Sequence, residues 1–259
     1  MMQVAEYLDR IAYSGSTAPT WETLRELHRA HLMAVPFENL DIHLEVPIEL
    51  SVPAFYDKIV HRLRGGFCYE LNGLFAWLLE QLGYRVSLLS ARVASAGSLS
   101  PEFDHLTLLV ESDAQWIADV GFGEWSMEPL VMERFDDQQN GGGYSLIEEA
   151  GSWTVRKPIE GGWEPQYVFS LTPHSLEEFE ARCRFHQTSP ESHFTRKPVC
   201  SIATPDGRIT LSGHRVIVSS GGRREEREVE GAEAYRSVLS KEFGVDLTRR
   251  DIDRLAATP

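Results

Sequence analysis

The sequence predicts an α+β protein of two or three subdomains, and three observations along the chain lead to this. Apolar residues recur at helical spacing as far as residue 82, whereas from Tyr84 onward they alternate with a period of two. The final third of the chain mixes both patterns. Helices, then strands, then a mixed segment is an order typical of α+β folds. The 259 residues suffice for one large domain or for two to three small ones.

The first third predicts a set of helices separated by short connections. A capping-box-like sequence at 20–23 opens the second helix, and Pro36 ends it. Residues 36–40 are therefore predicted to form a loop or a short turn. The helices are predicted at about 4–11, 20–35, 53–63 and 67–82.

The middle third predicts short strands with Gly-containing turns between them, a pattern typical of an antiparallel barrel or meander. Residues 94–102 and 135–143 are polar or small and are predicted to be loops. The strands are predicted at 85–93, 105–110, 115–120, 144–148, 152–157 and 166–170.

The last third predicts strands and helices together. Charges alternate in sign over residues 223–228, which indicates a solvated face. The helices are predicted at 175–185, 232–243 and 248–256, and the strands at 199–203, 208–211 and 215–218.

Composition disfavours several classes of partner. A net charge of −14 argues against nucleic acid or an anionic membrane as the main partner. A local basic or helix-terminus site can still bind an anionic cofactor. The number and spacing of the three cysteines predict neither a disulfide framework nor a zinc site. Because the sequence also shows no signal-peptide pattern and no apolar run long enough to span a membrane, a reducing cytoplasm is the expected compartment. We expect a cytoplasmic protein that binds no metal ion, and the sequence leaves open whether it forms a homo-oligomer.

The segment at 64–72 places Cys68 in the first turn of a largely apolar helix. The positive end of the helix dipole favours the thiolate form of such a cysteine. Gly65 and Gly66 carry no side chain, so we expect them to leave space in front of the sulfur. A buried, inert cysteine is the competing interpretation. The neighbouring Glu70 and Asn72, together with a histidine and an aspartate downstream, favour a nucleophile.

Nucleophilic cysteine catalysis needs a base and a third group that orients the base. His105 begins an apolar strand, where its ring can project from the end of a sheet. Asp119 is a charged residue within an apolar strand, and it needs a partner if it is buried. The side chains of His105 and Asp119 can meet if the two strands form one hairpin. A satisfied strand-end histidine and a turn-initiating aspartate are the competing interpretations.

These segments resemble the arylamine N-acetyltransferase family. Three of its signatures match in order and at similar spacing: Arg-Gly-Gly-x-Cys-x-Glu-x-Asn at 64–72, Asp-His-Leu at 104–106 and Asp-Val-Gly-Phe-Gly at 119–123. Residues 36–40 and 189–194 are similar to parts of its N-terminal and lid sequences. The match is specific over the first 125 residues and weaker from about 130 to 185.

The resemblance implies a fold with a cysteine-protease or transglutaminase-like core. A helical bundle carrying the nucleophile would span residues 1–83. An antiparallel β-barrel carrying the histidine and aspartate would span 84–185, and an α/β lid would span 186–259.

The resemblance also implies a reaction. An acetyl group would pass from acetyl-CoA to Cys68 and then to the nitrogen of an arylamine, arylhydroxylamine or arylhydrazine in a ping-pong sequence. His105 would hold the thiolate as an ion pair and later manage the proton of the amine, and Asp119 would orient His105. Neutral aromatic amines and hydrazines are nucleophilic at pH 7, and an apolar site keeps water from the acyl-enzyme.

Further positions carry over from the family, each with a structural alternative. Arg64 and Glu38 are predicted to form a supporting ion pair, which a surface pair would also explain. Asn72 is predicted to order the local backbone. The predicted acceptor-binding walls, for which core packing is the alternative, are Phe37, Phe122 and Phe194. The predicted coenzyme A contacts, for which turn glycines and strand-surface hydroxyls are the alternative, are Gly121, Gly123, Thr210 and Ser212.

Three other functions stay open on the sequence. An amide synthase that closes a macrolactam would use the same Cys-His-Asp set. A cysteine hydrolase or a transglutaminase-like enzyme would share the chemistry but pass the acyl group to water, or take it from Gln side chains. A coenzyme-binding or scaffolding protein would leave Cys68 inert. The Gly-Gly before Cys68 and the loop at 36–40 favour the acetyltransferase.

Overall fold

A computed structural model describes residues 2–95, 97–124, 126–132 and 143–258 of the chain. The predicted loop at 135–143 lies outside these residues, apart from Gly143.

Helices dominate the N-terminal third, as the apolar spacing predicts. The Thr20 hydroxyl caps the second helix by accepting a hydrogen bond from the backbone N–H of Thr23. Among the described residues, no helix has the length and apolarity needed to cross a lipid bilayer. The elements are α1 Val4–Arg10, α2 Trp21–Ala34, β1 Phe37–Glu38, α3 Leu40–Leu44, α4 Val52–Tyr56, a π-helical turn Asp57–His61 and α5 Cys68–Gln81.

The middle of the chain forms one antiparallel, barrel-like sheet. Its strands are β2 Arg85–Ser95, β3 Ser98–Leu99, β4 His105–Glu111, β5 Gln115–Ala118, β6 Leu130–Val131, β7 Ser145–Glu149, β8 Ser152–Ile159 and β9 Gly162–His174. They lie in the order β6-β5-β4-β2-β9-β8-β7, and the short β3 pairs with β2. This order brings β4 and β9 to either side of β2, so side chains from both can approach the same helix.

The C-terminal third forms a smaller antiparallel sheet with helices. Its elements are a 3₁₀ turn Leu176–Phe179, α6 Glu180–Thr188, a 3₁₀ turn His193–Thr195, β10 Val199–Thr204, β11 Gly207–Ser212, β12 Arg215–Ser220, β13 Arg223–Glu228, α7 Ala232–Phe243 and α8 Arg249–Leu255. The sheet order is β1-β10-β11-β12-β13, so its first strand comes from the N-terminal third of the chain.

Two hydrophobic cores result from this arrangement. The larger core joins α1, α2, α4 and α5 to the inner face of the barrel-like sheet. The smaller core joins α3, α7 and α8 to the smaller sheet, through residues such as Leu40, Leu211 and Leu239. The predicted fold class is confirmed, because a helical N-terminal part, an antiparallel barrel-like sheet and an α/β C-terminal part are all present.

Two local predictions are wrong, and a third is right but incomplete. Residues 36–40 contain strand β1 and the start of α3 instead of a loop, because Phe37 and Glu38 pair with Ser201 and Cys200 on β10. Asp119 lies just after β5 and not within a strand. Residues 223–228 are solvated as predicted, but they form the edge strand β13 by pairing with β12. Each strand pairing depends on residues elsewhere in the chain.

The two glycines before Cys68 have a different role from the predicted one. A Cβ added to Gly65 would lie 1.9 Å from the backbone oxygen of Pro36, and one added to Gly66 would lie 2.7 Å from Cβ of Glu70. Neither glycine lines the cavity in front of the sulfur. They allow the chain before α5 to pack against β1 and the first turn of α5, because any side chain would overlap atoms there.

We expect Gly65→Ala to lower the free energy of unfolding by about 2–3 kcal/mol, because the contacted atom belongs to backbone that cannot move independently. Urea denaturation measures this. Gly162→Ala is the matched control, because its added Cβ would meet nothing within 4 Å and its φ is not positive. Equal unfolding midpoints for the two variants would contradict the prediction.

Candidate active site

Cys68 is the first residue of α5, and its side chain faces a cavity between the two sheets. It is 3% exposed. Burial raises the pKa of the Cys68 thiol well above its ordinary value, and the backbone N–H of Leu106 acts in the opposite direction. Burial therefore acts against the helix terminus, which was expected to favour the thiolate. A reactive thiolate here needs a cationic partner.

His105 and Asp119 meet across the β4–β5 hairpin, as their positions predict. Strand β4 starts at His105, and Asp119 follows the last residue of β5. The His105 Nε2 atom lies 2.6 Å from the Asp119 Oδ2 atom. Because an ionised carboxylate only accepts hydrogen bonds, Nε2 carries the proton. The Nδ1 atom is the ring nitrogen left for another group.

The Asp119 carboxylate is fully buried and accepts hydrogen bonds from four groups. His105 and the Tyr167 hydroxyl, at 2.9 Å, donate to Oδ2, while the Asn72 side chain and the Gly121 backbone N–H, each at 2.9 Å, donate to Oδ1. Burial raises its pKa, but the charge of His105 and these hydrogen bonds oppose that effect and leave the pKa below its usual value. Asp119 is therefore held as a carboxylate.

Asn72 orders the backbone around this pair, as its place one turn after Cys68 predicts. Its amide nitrogen donates to the Leu106 carbonyl at 2.6 Å as well as to Asp119, and its Oδ1 accepts from the backbone N–H of Val120 at 2.9 Å. One side chain thus joins α5 to β4 and to the segment after β5. A Cβ added to Gly121 would lie 2.7 Å from Cα of Cys68, so this segment packs directly on α5.

A mostly apolar cavity of about 480 Å³ joins these groups to the C-terminal part of the chain. Of the predicted site residues, the ones that line it are Cys68, His105, Phe37, Phe122, Phe194, Gly121 and Gly123. Asp104, Asn39, His193, Arg196 and Lys197 are among the other lining residues. In the part of the chain that the structure describes, no group of three or more His, Cys, Asp or Glu side chains is arranged to hold a metal ion.

Thr210 and Ser212, two predicted coenzyme A contacts, lie on β11 and are not among the residues that line this cavity. The Thr210 hydroxyl instead lies 2.6 Å from the Ser201 hydroxyl on the neighbouring strand β10. Arg208 donates a hydrogen bond to the same Ser201 oxygen at 3.1 Å. The structure therefore does not bring Thr210 or Ser212 to the cavity that Cys68 lines, and their predicted contact with a cofactor stays a prediction.

The predicted ion pair of Arg64 and Glu38 is buried and belongs to a larger network. Arg64 Nη2 lies 2.7 Å from Glu38 and 2.9 Å from Asp41, while Lys58 Nζ lies 2.9 Å from both Asp41 and Glu70. Burial raises the pKa of Glu70 to about 7, although Lys58 acts against this. A proton on Glu70 would leave two cations facing two carboxylates, so the network can be neutral.

Comparison with known proteins agrees with the predicted resemblance. Residues 20–252 match the model of a family described as N-acetyltransferase. An arylamine N-acetyltransferase, the pineal gland isozyme NAT-3 of Gallus gallus, is 36% identical over 96% of this chain and 96% of its own length. The chain belongs to the arylamine N-acetyltransferase family.

Two further members show how much of the family fold is shared. The enzyme of Salmonella typhimurium named arylamine N-acetyltransferase / N-hydroxyarylamine O-acetyltransferase is 34% identical over 92% of this chain and 87% of its own. The solved structure of the Mycobacterium marinum arylamine N-acetyltransferase in complex with CoA has a TM-score of 0.91, with 32% identity over 99% of each chain. The predicted enzyme class, an acyltransferase, is confirmed with the family.

Sequence reasoning missed Tyr167, Lys58 and His28 in this family member. Tyr167 lies in a correctly predicted strand, and its one signal was a polar tip in an apolar run. Lys58 lies within the helix predicted at 53–63, where no local signal marks its side chain as buried. The His28 Nε2 atom lies 3.1 Å from the backbone oxygen of Asp119, and burial lowers the pKa of His28 to about 4, so its ring is neutral there. The role of each of these three side chains comes from a contact with a residue distant in sequence, which local patterns do not reveal.

Glu70 gives the stability of the chain a defined pH dependence. Its pKa is about 7 in the folded chain, against an ordinary value of 4.5. Between these values the folded chain holds a proton that the unfolded chain has released, so stability falls as the pH rises. Glu70→Gln stays neutral, and we expect its stability relative to the natural chain to rise by up to about 3 kcal/mol over this interval.

Urea denaturation at a series of pH values measures the difference between the two proteins. The exposed Glu191→Gln variant is the control, because it changes a carboxyl outside the buried network. Parallel stability curves for Glu70→Gln and the natural chain would contradict the assignment of the proton to Glu70.

Proposed function

We propose that this enzyme transfers an acetyl group from acetyl-CoA to the nitrogen of an arylamine, arylhydroxylamine or arylhydrazine, by a ping-pong route through acetyl-Cys68. The observation that carries the proposal is that Cys68 and His105 line one apolar cavity and that His105 is paired with the buried Asp119. Family membership supports the same reaction class.

The thiol becomes a nucleophile by giving its proton to His105. Burial alone disfavours an isolated thiolate at Cys68, so an imidazolium beside it is required. Asp119 holds Nε2 of His105, which leaves Nδ1 to take the proton. The carboxylate then stabilises the imidazolium that forms. In this proposal Cys68, His105 and Asp119 are the nucleophile, the base and the orienting acid.

The first half-reaction forms one C–S bond and breaks another. The Cys68 sulfur attacks the thioester carbonyl of acetyl-CoA, and the CoA sulfur leaves and takes the proton held by His105. Because one thioester replaces another, the step costs little free energy, and cysteine is therefore a well-matched nucleophile for an acyl carrier. The enzyme is left acetylated on Cys68 with a neutral His105.

In the second half-reaction the neutral nitrogen of the acceptor attacks the carbonyl of acetyl-Cys68. A C–N bond forms, the C–S bond breaks, and His105 accepts the amine proton, which restores the thiolate–imidazolium pair. Water competes for the same carbonyl. The apolar walls of the cavity, among them Phe37, Phe122 and Phe194, disfavour water and favour an aromatic ring.

Binding of the acyl donor needs a partner for its phosphates. Arg196 and Lys197 line the cavity and are exposed. Among the described residues, no carboxylate lies within ion-pair distance of either cation. They suit the phosphates of coenzyme A, and Gly121 and Gly123, which also line the cavity, let the donor approach the backbone of this segment. The M. marinum relative, whose structure was solved with CoA, supports a coenzyme A thioester as the donor.

Intact-mass measurement after brief exposure to acetyl-CoA, without acceptor, tests the route. We expect one acetyl group on Cys68, its loss when an arylamine or arylhydrazine is added, and no acetylation of Cys68→Ser. Cys200→Ala is the matched control, because this buried cysteine lies in the other core and should leave acetylation unchanged. No adduct on the natural chain would overturn the proposal, and spontaneous loss of the adduct to water would favour a hydrolase.

We expect Asp119→Asn to lower kcat/KM by about 10³- to 10⁴-fold, because an amide in place of the carboxylate disturbs the tautomer of His105 and the stability of its cation. Steady-state acetylation of an arylamine measures the loss, and circular dichroism checks that the variant folds. Asp113→Asn, in the exposed β4–β5 turn, is the control. A rate within tenfold of normal would remove Asp119 from its proposed role.

A further inference from the structure

A second set of acid, imidazole and hydroxyl groups lies next to the site. The Asp104 Oδ1 atom lies 3.0 Å from Nε2 of His186. This is an electrostatic contact without the alignment of a regular hydrogen bond. On the other side of the ring, His186 Nδ1 lies 3.1 Å from the Ser192 hydroxyl. Arg182 donates to the same Asp104 oxygen through Nε at 2.6 Å.

These groups are placed to hold structure and not to react. His186 and Ser192 are each 2% exposed, so the hydroxyl has no access to a substrate. Burial raises the pKa of Asp104, but His186 and the Arg182 guanidinium together hold it well below its usual range. Asp104 is therefore an ionised anchor, and it directly precedes His105 at the start of β4.

Ser192, at the other end of this set of contacts, holds the backbone of Phe194. The Ser192 oxygen accepts a hydrogen bond from the backbone N–H of Phe194 at 3.2 Å. The backbone oxygen of Phe194 accepts one from the Asn39 side chain at 2.9 Å. The Phe194 ring packs edge-to-face on His186, with 5.1 Å between ring centroids, and lies 6.1 Å from the Phe37 ring. The backbone and the ring of this cavity wall are thus both fixed.

We infer that His186 is a positioning residue for the acceptor half-reaction, acting through Ser192 to hold Phe194 at a fixed place relative to His105. The inference rests on the proposed function and deepens it. The chain of contacts runs from the residue before His105 to a wall that the second substrate meets, and it joins the barrel-like sheet to the segment at 189–195.

Loss of the link should therefore affect the acceptor more than the donor. Ser192→Ala removes one buried hydrogen-bonding oxygen and keeps the packing. We expect it to raise KM for an aromatic amine by about three- to tenfold, the range that one such hydrogen bond corresponds to. Acetylation of Cys68 by acetyl-CoA without acceptor should change by a smaller factor. Stopped-flow and steady-state rates measure the two steps separately.

A double-mutant cycle with Phe194→Leu separates positioning from general damage. If Ser192 acts through the Phe194 ring, Ser192→Ala should have little further effect on KM once the ring is gone. Ser189→Ala is the matched control. Its hydroxyl also accepts a backbone N–H in this segment, that of Glu191, but contacts neither His186 nor Phe194. If Ser192→Ala does not fold, His186→Asn takes its place, because it keeps an amide near the Nδ1 position and loses the contact with Asp104. Its KM for the aromatic amine should lie between those of the natural chain and Phe194→Leu.

The outcomes are distinct. A natural chain that never forms acetyl-Cys68 overturns the proposed function and this inference with it. A natural chain that is acetylated, with an unchanged acceptor KM in both Ser192→Ala and His186→Asn, overturns the inference alone. An equal rise in KM with and without the Phe194 ring also overturns it, because Ser192 would then act by another route.

Discussion

The buried carboxylate of Asp119 is the constraint on which the rest of the structure depends. An ionised carboxylate that has lost its water is stable only if hydrogen bonds replace that water. Here the donors come from α5, β4, β9 and the segment after β5, through Asn72, His105, Tyr167 and Gly121. Four separate parts of the chain must therefore meet at one point, and this requirement sets the position of the Cys68 helix against the sheet.

A second buried cluster of charged side chains packs against the first turn of the same helix, α5. Lys58 and Arg64 face Glu38, Asp41 and Glu70 beneath the first turn of α5. Buried charges are expensive to desolvate, and such clusters persist when their members are paired and hydrogen-bonded. Because removal of Lys58, Arg64, Glu38 or Asp41 would leave an unpaired charge, the cluster specifies a single arrangement of β1, the π-helical turn and α5. The start of the helix that carries Cys68 is thereby fixed.

The cavity lies between the barrel-like sheet and the smaller sheet. Cys68 belongs to the larger core, and Phe194, on the segment between α6 and β10, packs against the same core. Strand β1 joins the parts, since Phe37 lines the cavity and also pairs with Ser201 in the smaller sheet. Small changes in the segment between α6 and β10 can therefore alter one wall of the cavity while Cys68 stays in place on α5.

The sequence alone determined the fold class and most helices and strands, because hydrophobic periodicity is local, and its short motifs were enough to predict Cys68, His105 and Asp119 as a reacting group. It predicted that His105 and Asp119 would meet, since a tight hairpin brings its own strands together. Tertiary structure alone decided that Tyr167 completes the Asp119 cluster, that residues 37–38 form a strand and that Thr210 lies away from the cavity. Each depends on contacts between residues far apart in the chain, and periodicity carries no information about such contacts.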